Sequence, residues 1–334
     1  MGIQLGTLIG GNEIRLEELR GKTMAIDAFN FLYQFLAIIR GPGGEPLKDS
    51  RGRITSHVSG LFYRTINLLE AGIKPVYVFD GPPPHFKRAE VEKRKAARAE
   101  AAVEWKAALE RGELEEARKA AMRAVTVTDE IIGDARNLLH LMGIPVVQAT
   151  SEGEALAAVM AERGDAWAVA GQDFDTLLFG APRLVRNLGT AGRKKYIKSG
   201  YVTVNPDLIV LKDVLKQLDI GREQLIILGI LVGTDYNQGG IRGIGPKKAL
   251  KLVKEKKSLE AVLAETGWSF EVSAQDIFDF YMNPPKAPYE IIFKPADGDA
   301  LRNFLLERDF SAERVDNAIA RLPKKKGSLH EFGG

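Results

Sequence analysis

At 334 residues, 45% hydrophobic and 27% charged, the chain has the composition of an ordinary soluble globular protein, long enough for one large or two medium domains. The absence of cysteine excludes disulfides, thiolate metal sites and cysteine nucleophiles together, and four scattered histidines (His57, His85, His140, His330) speak against zinc. A net charge of only +3 requires that any polyanion be met by clustered basic residues; with no membrane-length apolar run and no leader-like start, an intracellular protein without a membrane partner is expected.

In chain order, short apolar runs end in acids and alternate with helical patterns. The run TMAI at 23–26 leads into Asp27, followed by a helical pattern over 29–39 and a second over 56–71. The run PVYVF at 75–79 leads into Asp80; a helix over 128–142 and a strand at 145–148 precede another helix over 154–163. AWAVA at 166–170 runs through Gly171 and Gln172 into Asp173 and Asp175. Continuous apolar strands alternating with helices predict an α/β fold with a parallel sheet covered on both faces. Such sheets place their sites beyond the carboxyl ends of the strands, where three strands here deliver carboxylates.

The stretch 87–123 differs in texture, with eleven Lys/Arg against eight Asp/Glu and few large apolar residues besides Trp105. Its Ala, Glu, Lys and Arg favour helix, but its apolar face is too thin for a core element. It reads either as a solvated helical hairpin laced with ion pairs or as a gate whose basic start, Lys87, Arg88, Lys93, Arg94, Lys95 and Arg98, faces a polyanion. Position directly after Asp80 favours the gate. Beyond Gln224 an apolar helix ends near Gly233; Asp235, a glycine-rich turn and a second helix opening at Pro246 follow. A less regular, proline-bearing segment covers 267–294, and helical patterns at 300–307 and 312–322 precede a lysine-rich tail.

Seven acids stand out: Asp27, Asp80, Glu152, Glu154, Asp173, Asp175 and Asp235. An all-oxygen set suits Mg²⁺ or Mn²⁺, and seven acids suit two ions, which at a spacing of roughly 3.5–4 Å could stabilise the attacking and leaving oxygens of a phosphoryl displacement. Each acid also has a plainer reading. Ser151 and Glu154 have capping-box spacing, Asp27 could cap the helix that follows it, and Asp80 and Asp235 could each form a turn. Together those readings fail, because gathered carboxylates repel one another unless cations neutralise them.

The turn GIGPKKA at 243–249 lies between two helices. Gly243 and Gly245 would let the backbone approach a phosphate, the helix start offers free N–H groups, and Lys247 and Lys248 add charge. A tight helical corner is the plainer alternative. This turn resembles the helix-hairpin-helix motif of DNA repair proteins. Together with FDG at 79–81, EGEA at 152–155, QDFD at 172–175 and GTDY at 233–236, it occurs in the order found in flap endonucleases, whose archaeal branch the chain is similar to from its start to about Leu322.

The resemblance implies a PIN-like, mainly parallel sheet flanked by helices, with a helical arch insertion at about 85–123 and the helix-hairpin-helix at 233–253. The nuclease core would comprise an N-terminal half (1–98) and an internal half (116–258), with a C-terminal helical part (259–323) packed on it and a basic tail (324–334). It implies two Mg²⁺ held by the seven acids, with Mn²⁺ as a substitute, and K⁺ near 239–244. Lys87 and Arg94 match arch residues that contact the scissile phosphate, Tyr33 the aromatic that stacks beside the cut, and Arg40, Lys48, Thr55, Arg308 and Phe310 the residues that hold a short 3′ flap. The implied activity is 5′ flap endonuclease and 5′→3′ exonuclease cleavage of branched DNA, in Okazaki-fragment processing and base-excision repair, by a monomer in the cytoplasm (or the nucleus, were the source eukaryotic). A sliding clamp is a further implied partner, although the tail at 326–333 departs from the family's clamp box, with Lys326 in place of Gln and Gly333 in place of the second aromatic. The alternatives are an exonuclease or bubble-cutting relative of the same core, a PIN-type RNase, and a junction-binding protein without activity, for which the full acid set would have no use.

Overall fold

Apolar side chains on both faces of three successive strands force helices onto both sides of the sheet. The computed structural model describes residues 5–41, 43–192, 194–197 and 200–323. Its strands are β1 (Asn12–Glu13), β2 (Thr23–Asp27), β3 (Lys74–Phe79), β4 (Val146–Gln148), β5 (Ala168–Ala170), β6 (Arg183–Arg186), β7 (Lys194–Ile197), β8 (Gly200–Thr203) and β9 (Asp207–Val210). Seven form one sheet in the order β1-β9-β6-β5-β2-β3-β4; β7 and β8 make a separate antiparallel hairpin. Pairings from β6 through to β4 are parallel, whereas β9 pairs antiparallel with β6 and β1. The mainly parallel α/β sheet expected from the apolar runs is present. Its antiparallel edge was not foreseen, because β1 is two exposed residues and β6 carries arginine at both ends, so neither shows a continuous apolar run.

The helices are α1 (Ala28–Ile38), α2 (Ser56–Glu70), α3 (Arg88–Glu110), α4 (Leu114–Arg123), α5 (Asp129–Leu141), α6 (Gly153–Glu162), α7 (Asp175–Leu178), α8 (Leu211–Leu218), α9 (Arg222–Val232), α10 (Pro246–Lys256), α11 (Leu259–Thr266), α12 (Ala274–Met282), α13 (Gly298–Leu306) and α14 (Ala312–Ile319). Residue parity sorts them into layers. Met24 and Ile26 of β2 and Tyr77 and Phe79 of β3 face α1, α2, α5, α13 and α14. Ala25, Val76 and Val78 face the opposite core, built from α6 to α12.

The segment 267–294 is more ordered than its prolines suggest. Ser273 caps α12 by accepting from the N–H groups of Gln275 and Asp276, and the first two of those prolines, Pro284 and Pro285, follow the helix rather than interrupt it. Helices α8 and α11 were likewise not singled out from sequence, being only eight residues each. The charged stretch 87–123 forms the hairpin α3–α4. Its thin apolar face is a seam of alanines (Ala101, Ala108, Ala117, Ala120, Ala121), buried because small side chains let two helices approach closely. The Trp105 indole N–H donates to the Gly43 carbonyl at 3.3 Å, seating the hairpin beside the chain that follows α1. Among the described residues, no helix is long and apolar enough to cross a membrane.

Candidate active site

Strand register brings the acids to one edge. Asp27, the last residue of β2, lies beside Val78 of β3; Asp80, two residues on, keeps Val78's parity and so faces the same side. Glu152 takes the cap position of α6 and Glu154 lies in its first turn, Asp173 follows β5, Asp175 opens α7, and Asp235 sits on the turn after α9. Asp80 Oδ1 accepts the Gly153 N–H at 2.6 Å and so fastens the end of β3 to the start of α6. A Cβ at Gly153 would lie 2.7 Å from that oxygen, which is why glycine separates the two glutamates.

The plainer roles are met in part. Asp27 Oδ1 does accept the Asn30 N–H at 3.0 Å, as a helix cap should. The capping box between Ser151 and Glu154 does not form: the α6 cap position is Glu152, without a side-chain cap bond, and the buried Ser151 hydroxyl has no hydrogen-bond partner among the described residues. Glu154 instead accepts from the Thr176 hydroxyl at 3.4 Å. Asp235 belongs to a tightly tied turn, in which Thr234 Oγ1 donates to Asn237 Oδ1 at 2.8 Å and Asn237 Nδ2 to the Ile230 carbonyl at 2.7 Å.

Burial, reinforced by the charges of Asp173 and Glu152, pushes the Asp27 carboxyl up to about 6. Burial with Asp27 and Glu152 takes Asp80 to about 8. Burial, then Asp175, Asp173 and Asp27, holds Glu154 well above the ordinary carboxylate range. Asp235 moves the other way: burial favours its neutral form, but the cations of Lys87 and Arg94 outweigh it. The acids therefore feel one another across the basin, a charge distribution that calls for cations.

Two arch cations answer it. Lys87 Nζ, almost buried, lies 2.6 Å from Glu152 Oε2 and 3.4 Å from Asp235 Oδ2. Arg94 Nη2 donates to Asp235 Oδ1 at 2.7 Å while its Nε pairs with Glu90 at 2.6 Å. Gln238, in the hairpin turn, donates to Glu90 as well. Among the described residues no three acids are drawn into a ready-made coordination shell; Lys87 lies between two of them. The donor set still fits hard divalent cations: every candidate ligand atom is a carboxylate oxygen, burial and neighbouring acids hold the Asp27, Asp80 and Glu154 carboxyls above the ordinary range, and a cationic ammonium already stands among the acids.

The remaining sequence candidates fall in three places. Tyr33 lies under the arch, with the Arg98 guanidinium 4.9 Å above its ring. In the hairpin, Gly243, Gly245, Lys247 and Lys248 are exposed, Gly245 caps α10 and Pro246 takes its first position. Gly240, at φ +59°, passes so close to the carboxyl end of α9 that a Cβ would sit 2.3 Å from the Leu231 carbonyl oxygen. The third group is drawn together from chain ends about 260 residues apart. The Ser50 N–H donates to Asp309 Oδ2 and Arg53 to the Glu307 carbonyl, both at 2.5 Å, which sets Lys48 and Thr55 beside Arg308 and Phe310. Within it Lys48 is exposed and Thr55 buried; Arg40 is tied to the carbonyls of Leu36 and Gly44, and Phe310 packs on the core. Arg308 faces inward, paired with Asp134 through two nitrogens and stacked 3.6 Å from the Phe304 ring centroid. Sequence reasoning did not single out Asp134, His57, Glu90 or Gln238, whose partners are all distant in the chain or common on a polar surface. The tail at 324–334, including the clamp-type box, lies outside the described residues.

The first 101 residues match the family model of the XPG N-terminal domain, and residues 143–235 that of the XPG I-region. The chain is 58% identical over 327 residues to Flap endonuclease 1 of Pyrococcus abyssi, covering 97% of this chain and 94% of the relative. It is also 58% identical to Flap endonuclease 1 of Thermococcus onnurineus, covering 100% and 99%. The chain belongs to the flap endonuclease family. The solved flap endonuclease-1 from Methanococcus jannaschii superposes with a TM-score of 0.76 at 41% identity, over 96% of this chain and 98% of that one. The catalytic core of Rad2 in complex with DNA substrate shares the fold, with a TM-score of 0.72 at 24% identity over 97% and 100%. As a flap endonuclease the chain is a structure-specific nuclease that hydrolyses DNA phosphodiester bonds and depends on divalent metal.

Proposed function

We propose that this flap endonuclease cuts 5′ flaps at the junction of single strand and duplex, and trims nicked ends 5′→3′, in Okazaki-fragment processing and base-excision repair. The observation that carries the reading is the gathering of acids from three strand ends into one buried basin, with arch cations seated on it. Asp27, Asp80, Glu152, Glu154, Asp173, Asp175 and Asp235 would hold two Mg²⁺, with Mn²⁺ as a substitute. When bound, the ions supply Lewis acidity, making water a competent nucleophile at neutral pH and offsetting charge on the phosphate.

The chain's own groups do the rest. The Lys87 ammonium and Arg94 guanidinium turn from the acids to the scissile phosphate and stabilise its developing charge. Tyr33 stacks on the base beside the cut once Arg98 leaves its ring. The 243–249 turn, with K⁺ at 239–244 and with Lys247 and Lys248, grips duplex phosphates without reading bases, so selection is by junction shape. Lys48, Arg40 and Phe310 form the surface for a short 3′ flap, which the buried Thr55 backs. Arg308 serves it by holding Asp134 in place rather than by touching the strand.

We place the protein in the cytoplasm as a monomer. A sliding clamp is its second proposed partner, tested by titrating the clamp against the chain with and without residues 324–334. End-labelled double-flap, nicked and single-stranded DNA, incubated with Mg²⁺ or with a chelator, tests the main reading. Rapid cutting of the double flap, releasing 5′-phosphate products only with Mg²⁺, is expected. Equal cutting of single strands, or cutting in the chelator, overturns it.

A further inference from the structure

Lys87 is the first strongly placed cation of the arch: it is buried, with its ammonium held by Glu152 and Asp235, while His85 and Arg88 close beside it in the chain are exposed. What fixes it lies one residue earlier. Phe86 packs edge-on against Tyr236, with ring centroids 5.1 Å apart at 86°, and against Phe280, 5.4 Å apart at 84°. Tyr236 and Phe280 meet each other at 5.5 Å and 84°, so the three rings form a closed triad of edge-to-face contacts. The rings come from three separate elements: the arch base, the turn that bears Asp235, and α12. Phe179 and Tyr281 extend the cluster beneath, with Phe179 5.5 Å from Phe280 and 4.6 Å from Tyr281. The Lys87 ammonium lies 5.5 Å from the Tyr236 ring centroid, on the way to Glu152.

We propose that the Phe86–Tyr236–Phe280 triad is a positioning device that sets Lys87 relative to the acid basin, with Phe280 of α12 acting through Phe86 and Tyr236 and touching neither acid nor substrate. The inference rests on the reading of Lys87 as the residue that contacts the scissile phosphate. Tyr236 adjoins Asp235, so one short turn aims a carboxylate at the basin and a ring at the arch base, and the two sides of the site are held in a single frame. The arch helices are joined to the basin by polar contacts that water and DNA can replace, whereas the triad is apolar and persists as those contacts exchange. Edge-to-face ring pairs attract one another beyond their burial, and three closed on one another hold one short segment in place.

Phe280→Leu keeps an apolar side chain but removes the ring edges, and Phe86→Leu does the same from the arch side. Single-turnover cleavage and junction binding are to be measured for each variant, alone and combined with Lys87→Ala, with melting curves to confirm folding. Each leucine variant is expected to slow single-turnover cleavage about tenfold with little change in the junction Kd, and to cost nothing further in the Lys87→Ala background. Phe280→Tyr, which keeps the aromatic ring at this half-buried position, is expected to cut at the wild-type rate. A loss of the same factor in both backgrounds overturns the positioning role while leaving Lys87 in the mechanism. A Lys87→Ala enzyme that cuts at the wild-type rate removes Lys87 itself, and the inference with it.

Discussion

Asp175 shows how much one side chain is asked to do. It opens α7 nearly buried, and its charge is among the chief causes that raise the Glu154 carboxyl. Replacing it with Asn keeps the shape and halves the donor capacity for a hard cation, so cutting in Mg²⁺ should fall by at least a hundredfold while junction binding persists. Unchanged cleavage would take Asp175 out of the mechanism. His57 offers an independent test away from the metal basin. It is buried with neither ring nitrogen hydrogen-bonded among the described residues, and Asp134 lies 3.8 Å away. Burial lowers it to about 4, with Arg308 adding to that effect and Asp134 opposing it. Because the folded value lies below the ordinary 6.5, the folded state binds fewer protons, so stability is intact above pH 6.5 and is lost as pH falls toward 4. The full loss is on the order of 3 kcal/mol. His57→Leu should flatten the acid limb of a stability–pH curve measured by urea unfolding; an unchanged slope would contradict the assignment. Asp27, Asp80, Asp173 and Asp175 could be read from sequence because they follow apolar strand runs. Phe86 and Phe280 could not, since nothing local marks two phenylalanines 194 positions apart as neighbours.

Among elements, the junction of β3 with α6 leaves little room for a side chain at Gly153. Gly153→Ala would force a methyl against Asp80 Oδ1 and the Val78 carbonyl, so a loss of roughly 1–3 kcal/mol in unfolding free energy is expected, together with slower cutting. An alanine variant of wild-type stability would show that the approach is looser than described. The hairpin between α9 and α10 carries a different expectation. Lys247 and Lys248 are exposed at the start of α10, so replacing both with Ala should weaken duplex binding and reduce the magnitude of its salt slope by about two. Single-turnover rates at saturating enzyme should hold; a rate loss at saturation would place these lysines in the chemical step. The hairpin could be read from its glycines and Pro246, which announce the break and the restart of helix. The arch was harder. Alanines disclose a packing seam only once two helices face each other, so composition alone could not distinguish a solvated hairpin from one docked on the chain near Gly43.

For the whole molecule, the two apolar layers divide the work. One side of the sheet is the packed ground of α1, α2, α5, α13 and α14, and the other carries α6, α9 and α12 to the basin. The seven-stranded sheet could be read at its centre, where runs are buried on both faces. Its edge could not, because β1, β6 and β9 are short and half-exposed. The central claim is that carboxylates delivered by these separate elements take up hard divalent cations as a unit. Titration of Mn²⁺ followed by electron paramagnetic resonance, on the wild-type chain and on Asp175→Asn, tests it most directly. Two ions per wild-type chain, and at least one fewer in the folded variant, are predicted; equal stoichiometry and affinity in both would contradict the account.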